Sequence, residues 1–446
     1  MSYPESEDIQ GCASTYDGTM GGAGFVREQV CGETPDVRVP ADQGQYYEDP
    51  NHPGNYHLFG FGFITGLTPK FNPNQKKTRG IGSKDIRCNK HSRYDTSLEI
   101  SYNPVDLVRI PFITGIDDDI STLRQAVCVN DCLPYSSIET WHERDCPEEK
   151  EVRKLHNMGL TTDFKCSVQI GEYVEWTESI MHQFQQASDS KLYTPPLQSV
   201  EVGLNPLDPC CDAFMAYEGD VYKTKRENEN LTSQIHVGGS TIFLLTYNVM
   251  DFNRDGNIDG LLGSFQNMQC FRDIEVYVDG ILSNDTNLIT VSPVNSKYFQ
   301  LAAAVMPGQT ITAKYYHMVQ LFNITAYDFE KNNNGKESRG IWKGTPVPYE
   351  IQGVSRDYSG SLTANYKDDN EYEQMKDDEY FHLFFEQGGL SPTPIVWQLL
   401  FSKWESVDAP HNEDDLIALP LPFTSSKMCI DNQIRLPPDG STEEGE

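Results

Sequence analysis

The segment Asp251-Phe252-Asn253-Arg254-Asp255-Gly256-Asn257-Ile258-Asp259 has the oxygen-ligand spacing of a calcium loop. Carboxylates or amides fall at Asp251, Asn253, Asp255 and Asp259, with a backbone carbonyl at Asn257 and a glycine at the tight turn. That is what a hard cation asks of a short loop. The closing position carries Leu262 in place of a bidentate acid, so other groups or waters must complete the shell. The alternative is a plain Asp/Asn/Gly turn; if Ca2+ binds, its role is structural. A second constellation, Cys128, Cys132, His142 and Cys146, could offer three thiolates and an imidazole to zinc. The spacing is looser than in zinc fingers, and buried free thiols or one disulfide are the competing readings.

Catalytic patterns are absent. The chain has no nucleophile elbow, phosphate loop, His-Glu-x-x-His pair or dinucleotide fingerprint, so no enzyme is expected. Asp95-Thr96-Ser97 offers one carboxylate for acid–base work, but Tyr358-Ser359-Gly360-Ser361, the matching stretch of an internal repeat described below, supplies no second aspartate to share a proton. Asn230-Leu231-Thr232, Asn284-Asp285-Thr286 and Asn323-Ile324-Thr325 are glycan-acceptor triplets, short enough to arise by chance.

Charge narrows the function further. The 446 residues hold 66 Asp and Glu against 35 Lys and Arg, a net of −31. A protein that grips phosphates needs clustered cations, so this balance excludes a groove-binding nucleic-acid protein. One stretch opposes the trend. Lys70, Lys76, Lys77, Arg79, Lys84, Arg87, Lys90 and Arg93 face only Asp85, a net of +7, leaving −38 on the rest. Pro and Asn within residues 70–93 read as a loop, either incidentally charged or a docking element complementary to the acidic body of another copy. The start lacks a basic, apolar leader, so the chain is expected to be made in the cytoplasm and to stay there or leave by another route. The longest apolar runs fall well short of the ~18 residues a membrane span needs, and no membrane partner is expected.

The elements that must position these groups read as mainly β. Gly, Ser and Thr in residues 1–24 suggest a flexible arm; strands are expected at Phe25–Val30, His57–Ile64 and Tyr94–Tyr102. The last alternates cleanly, with Thr96, Leu98 and Ile100 on one face and Asp95, Ser97, Glu99 and Ser101 on the other. Capping signals predict a helix from Pro147 to about Met158, stopped by Gly159, then a strand over Phe164–Trp176. Further on, Ile274–Leu282 carries an Asp-Gly hairpin turn, and Leu288–Val291 with Thr310–Tyr316 frames Pro307-Gly308.

Internal repetition organises the chain. Arg79-Gly80-Ile81 recurs as Arg339-Gly340-Ile341, Ser97–Tyr102 as Ser361–Tyr366, and Leu58-Phe59 as Leu321-Phe322, in the same order. The second copy continues into an expected helix, Asp369–Glu386, and a strand, Ile395–Phe401. The implied division is an arm over 1–24, one domain over 25–200, a β-sandwich-like insertion over 201–317, a second domain over 318–436 and an acidic tail over 437–446.

The combination resembles the tail tube proteins of tailed bacterial and archaeal viruses. Gly24–Pro35 is similar to that family's first strand and turn, and Thr65–Asn74, Arg79–Ser83 and Tyr94–Tyr102 resemble its strand, stacking loop and inner strand. The resemblance spans about residues 20–180, and 318–430 through the repeat; the stretches around Cys128–Cys146 and Asp251–Asp259 depart from it. It implies two tandem β-barrel or sandwich domains, each with a flanking helix. It also implies trimeric, pseudo-sixfold rings stacked head to tail in a virion around passing viral DNA, with tail terminator, tape measure and baseplate or tip proteins as partners. On that implication Asp95, Ser97, Glu99, Ser101, Thr363 and Asn365 are lumen candidates, and the basic loop docks successive rings. The competing class is a calcium-dependent extracellular adhesion or ligand-binding protein.

Overall fold

The structure is a computed structural model that describes residues 21–28, 59–78, 88–117, 120–142, 152–187, 213–252, 257–262, 271–285, 287, 289–292, 296–338, 350–365, 370–389, 394–407 and 418–434. It is mainly β, as expected. It divides into two compact units: Met1–Thr122, Val127–Tyr217 and Ala326–Ser361 form unit 1, and Leu123–Ala126, Glu218–Thr325 and Leu362–Glu446 form unit 2. These interleaved units do not coincide with boundaries at residues 200 and 317.

Unit 1 contains β1 (Gly21–Arg27), β2 (Phe59–Gly60), β3 (Phe63–Thr78), β4 (Cys88–Asn103), β5 (Val127–Cys128), β6 (Ser136–His142), β7 (Val152–Gln169), β8 (Glu175–Met181) and β9 (Phe184–Ala187). The five-residue helix α1 (Ile110–Thr114) lies between β4 and β5. One sheet runs β2–β1–β6–β7–β9 and another β3–β4–β8–β7, all antiparallel. The long strand β7 serves both. Residues 152–159 pair with β6 and residues 160–167 with β8. The change of sheet falls where Met158 adopts a positive φ of 56° and where a Cβ on Gly159 would stand 2.8 Å from the Ser136 carbonyl oxygen. Bulges and glycines are the usual way a strand turns such a corner.

Several expectations are corrected here. The helix expected to end at Met158 is strand from Val152 onward. Its capping residues are local signals, whereas β6 and β9 offer ladders on both sides of β7, and tertiary pairing overrides propensity. The strand expected over Phe164–Trp176 is instead the end of β7, a turn and the start of β8. β1 begins at Gly21, before the expected Phe25. The expected loop over 70–93 is largely the outer half of a β3–β4 hairpin, paired from Phe63↔Asn103 to Thr78↔Cys88.

What the two sheets enclose is unusual. Arg109 is 2% exposed and Glu178 is fully buried, and they pair through the Arg109 Nε at 2.9 Å and its Nη2. Glu178 also accepts from Tyr102 Oη at 2.7 Å and Thr161 Oγ1 at 2.8 Å. The guanidinium carbon lies 4.4, 4.7 and 4.5 Å from the ring centroids of Phe25, Phe61 and Phe112. A cation boxed by three aromatic faces gains quadrupole attraction that offsets part of its desolvation. Lys331 is the neighbouring cation, also buried, and donates to the Ile113 carbonyl. Burial, with repulsion from Arg356, lowers its ammonium from 10.5 to about 7.

The remaining strands are β10 (Val221–Asn230), β11 (Ser240–Leu244), β12 (Ile274–Val278), β13 (Ile281–Leu282), β14 (Ile289–Val291), β15 (Tyr298–Val305), β16 (Ile311–Gln320), β17 (Ile324–Asn332), β18 (Lys336–Ser338), β19 (Glu350–Gln352), β20 (Asp357–Asn365), β21 (Phe381–Gln387), β22 (Ile395–Trp404) and β23 (Ala418–Asp431). Within unit 1, β17 pairs with β7, from Ala326↔Gln169 to Asn332↔Asp163, and with β20. Unit 2 is a sheet in the order β13–β12–β16–β10–β21–β22–β23. A separate sheet, β11–β15–β14, packs on it through Phe243, Phe299, Leu301, Ile289 and Val291 against Ile274, Val276, Ile311 and Ala313.

The Asp279-Gly280 turn between β12 and β13 is as expected, both residues having positive φ. Leu288–Val291 and Thr310–Tyr316 do not form the expected pair: β14 pairs with β15, an unanticipated strand, and β16 with β10 and β12. The helix expected over Asp369–Glu386 is only α2 (Asn370–Lys376). Beyond it Phe381, Leu383, Phe384 and Phe385 are buried in β21 between β10 and β22, where aromatic side chains suit a central strand. In the repeat, Leu98 and Leu362 are both buried in strands, but Phe59 lies in β2 whereas Leu321-Phe322 lies between strands; Leu58, both Arg-Gly-Ile copies and Tyr366 fall outside the described residues.

Removing one partner of the buried ion pair strands the other. Arg109→Ala is expected to cost about 3–5 kcal/mol of unit 1 stability in urea unfolding. The joint replacement Arg109→Met with Glu178→Leu should recover most of that loss. Lys331 adds a pH dependence. Its folded pKa lies below the unfolded value, so the unfolded chain binds more protons between about pH 7 and 10.5 and stability rises across that window. Urea midpoints of Lys331→Met should lack this share of the rise.

Candidate functional site

Alternation along the unit 1 strands separates two faces. The inner face carries Leu98 and Ile100 from β4, Trp176 and Ile180 from β8, Phe164 and Cys166 from β7 and Phe329 from β17, all buried. Cross-strand partners share a face, so the registers define the outer one. Lys70, Thr68 and Gly66 stand beside Ser97, Glu99 and Ser101; those stand beside Met181, Ser179 and Thr177; Asp163, Lys165 and Ser167 follow, then Asn332, Glu330 and Asp328. Ser359 of β20 donates to Glu330 at 2.9 Å. The result is a broad outer face of carboxylates and hydroxyls on top of an aromatic core.

Its cations are engaged. Lys70 Nζ donates to Glu99 at 2.8 Å, and Lys165 lies 3.7 Å from Asp328 with Glu330 directly across the ladder. The hydroxyls bond one another and the acids: Ser101 Oγ and Thr177 Oγ1 are 2.9 Å apart, and Thr65 Oγ1 donates to Glu175 at 2.9 Å. Carboxylates crowd at the β7–β17 end. Partial burial, reinforced by the nearby Glu330 charge, raises the pKa of both Asp163 and Asp328.

Four of the six lumen candidates, Asp95, Ser97, Glu99 and Ser101, occupy this face, each partly exposed. Thr363 and Asn365 lie in the unit 2 part of β20, also partly exposed. There the Thr363 carbonyl accepts from Thr325 Oγ1 at 3.1 Å, and the Asn365 backbone pairs with Asn323. The face's acids from β7, β8 and β17 were missed from sequence, because each strand alone reads only as an exposed polar edge.

Of the docking candidates, Lys70 lies on the outer face, paired with Glu99, and others lie farther along the hairpin. β4 pairs with β8 over Ser97–Tyr102, and Phe71–Thr78 forms its ladder with Cys88–Thr96, with Thr96 also hydrogen-bonded to His182. Eight residues of β3 make a two-stranded ribbon of about 27 Å at ~3.4 Å per residue. Lys76, Lys77, Lys90 and Arg93 are on its strands, with Lys76 opposite Lys90; Arg79, Lys84 and Arg87 lie outside the described residues. Like charges directly opposite weaken a ladder.

The calcium-like loop has a protein-side clamp. Buried Asp273 accepts from Phe252 N at 2.8 Å and Asp259 N at 3.0 Å, tying together both ends of the loop. One Asp259 oxygen is engaged by Leu261 N at 2.7 Å. Asp251, Asn257 and Asp259 are described; Asn253 and Asp255 are not. In the zinc constellation Cys128 is disulfide-bonded and so is not a thiolate ligand, Cys132 is free and exposed, His142 ends β6, and Cys146 lies outside the described residues. No helix among the described residues is long and apolar enough to cross a membrane.

Because Glu330 raises both neighbouring aspartates, Glu330→Gln is expected to move the carboxyl titrations of Asp163 and Asp328 to lower pH, read by NMR on the full chain. Unmoved midpoints would contradict the described crowding.

No protein-family model matches this chain, and no curated protein sequence matches it.

Proposed function

We propose that this protein is a structural subunit that polymerises into stacked rings, forming a tube of the viral tail type through which DNA passes. The observation that carries the reading is the outer face of the unit 1 sheet. A conduit for a polyanion needs a wall that is wetted but does not hold phosphates. Carboxylates and hydroxyls meet that need, and Lys70 and Lys165 are each held by an acid on the same surface.

The ribbon supplies the association. A two-stranded hairpin is marginal alone and gains from packing against a partner. Its cations suit the acidic body of a neighbouring copy, so ring-to-ring docking would satisfy the charge. A trimer with pseudo-sixfold symmetry is the expected ring, and terminator, tape measure and baseplate or tip proteins are the partners such a tube would meet.

Purified protein examined by negative-stain microscopy should give hollow striated filaments or trimeric rings. Lys76→Glu, Lys77→Glu and Arg79→Glu together should leave a folded protomer that does not polymerise. Tubes of normal length from that variant would contradict the role of the ribbon, and isolated monomers of the unaltered protein would contradict the function.

A further inference from the structure

In unit 2, β10 is paired along its whole length on one side only. Its ladder with β16 runs from Tyr222↔Gln320 to Asn230↔Thr312, whereas among the described residues β21 covers the other side only from Val221↔Phe385 to Lys223↔Leu383. In an antiparallel ladder the backbone groups of successive residues point to opposite sides. Leu321 N donates to Val221 O at 2.8 Å and Leu231 N to Ile311 O at 3.0 Å, so the odd-numbered residues of β10 face β16. Arg226 and Asn228 therefore turn their N–H and C=O groups to the uncovered edge. Over residues 225–230 that edge is about 20 Å long at ~3.4 Å per residue.

A cleft of about 420 Å³ lies along this edge, and its two sides differ in charge. Lys223, Lys225 and Glu227 share one face of β10 by alternation. The helix α2 stands over that face, since Gln374 Oε1 accepts from Lys223 Nζ at 3.2 Å, and Glu373 with Asp377 completes this side of the cleft. Three acids meet two lysines there; Lys223 is already held by Glu371 at 2.9 Å, and Glu373 also takes the exposed Lys376 at 3.0 Å. On the opposite face Arg226 is joined by Asn228 with its ladder partner Lys314, and by Glu379, 3.9 Å from Arg226 Nη1. Two cations meet one acid on this side. Arg226 Nη2 donates to Glu275 at 2.8 Å, but its buried Nε has no hydrogen-bond partner.

We infer that this edge is a peptide-binding site, at which an extended segment of a partner protein adds to β10 as a further strand, with basic side chains on the α2 side and acidic ones on the side of Arg226 and Lys314. The edge selects the backbone of the occupant: N–H and C=O pairs repeating at about 7 Å are matched by another extended chain. The cleft selects the side chains, which alternate between its two sides. Residues 225–230 contain no proline and the ladder with β16 has no bulge, so charge is what guards this edge. Charge of two signs admits one pattern and rejects others. Two β10 edges pairing antiparallel would set their acid-richer sides against each other, which disfavours a second copy as the occupant. The site belongs to unit 2 of a single protomer and does not rest on the tube reading.

The test is fluorescence anisotropy of the full chain with a labelled, end-capped hexapeptide of alternating Lys and Glu, for which saturable binding is expected. A peptide with its three Lys grouped before its three Glu should bind at least tenfold more weakly. Of two alternating peptides N-methylated on the Lys or on the Glu residues, at least one should lose tenfold or more, since only one set of N–H groups can face β10. Asn228→Pro removes an edge donor that the β16 ladder does not use, and Glu373→Lys with Asp377→Lys, both exposed, reverses the charge of the α2 side; each change should weaken binding at least tenfold. The second leaves the strand untouched, so it carries the test if the proline variant does not fold. Absence of saturable binding, a grouped peptide or both methylated peptides binding as well as the parent, or binding indifferent to the two lysine substitutions would overturn the inference. Filament formation by the unaltered protein is read separately, so either result leaves the test of the tube intact.

Discussion

The buried Arg109–Glu178 pair is the constraint around which unit 1 is arranged. Two opposite charges removed from water carry a desolvation cost that neighbouring groups must offset. Here Tyr102 from β4 and Thr161 from β7 donate to Glu178, while the rings of Phe25, Phe61 and Phe112, from three separate segments, box the Arg109 guanidinium, whose Nη1 has no hydrogen-bond partner. Slipping any of these strands by one residue would turn its contact outward and leave a charge without company. Register is also what puts the polar outer positions of the sheet on one surface. The sheet-changing kink at Met158 and Gly159 serves the same end, letting β7 complete both sheets.

The proposed conduit builds on that arrangement. With charge fixed inside, the outer face can be rich in carboxylates without disturbing the core, because successive side chains on a strand point to opposite sides. The acidity of the whole chain then has a local expression, an outer surface of Glu99, Asp163, Asp328 and Glu330 whose neighbouring lysines are held by acids. The basic ribbon is its counterpart in charge, and the proposed tube would use the two separately, one facing DNA and the other a neighbouring ring.

How much of this the sequence discloses depends on whether a signal is local. The strand over Tyr94–Tyr102 and its two faces are legible because alternation needs no knowledge of neighbours, and the Asp279-Gly280 turn is legible from turn chemistry. β7 is not, since the capping signals around Pro147 and the stop at Gly159 mark a helix well and only the flanking ladders decide otherwise. β21 fails similarly: α2 starts as expected, and the aromatic run after it becomes a strand because β10 and β22 are there to receive it. Glu178 and Asp273 owe their roles to partners distant in the chain, so no periodicity points to them. The −31 charge is visible at once, but that its outer acids share a face appears only with the register.

The most direct test of the central claim is an electron cryo-microscopy reconstruction of filaments grown from the unaltered protein, at a resolution that traces strands. The account predicts that β4, β7, β8 and β17 line the bore, with Glu99, Asp163, Asp328 and Glu330 turned toward the axis. A filament in which that face points outward or lies buried between subunits, with the bore lined by other elements, would contradict it.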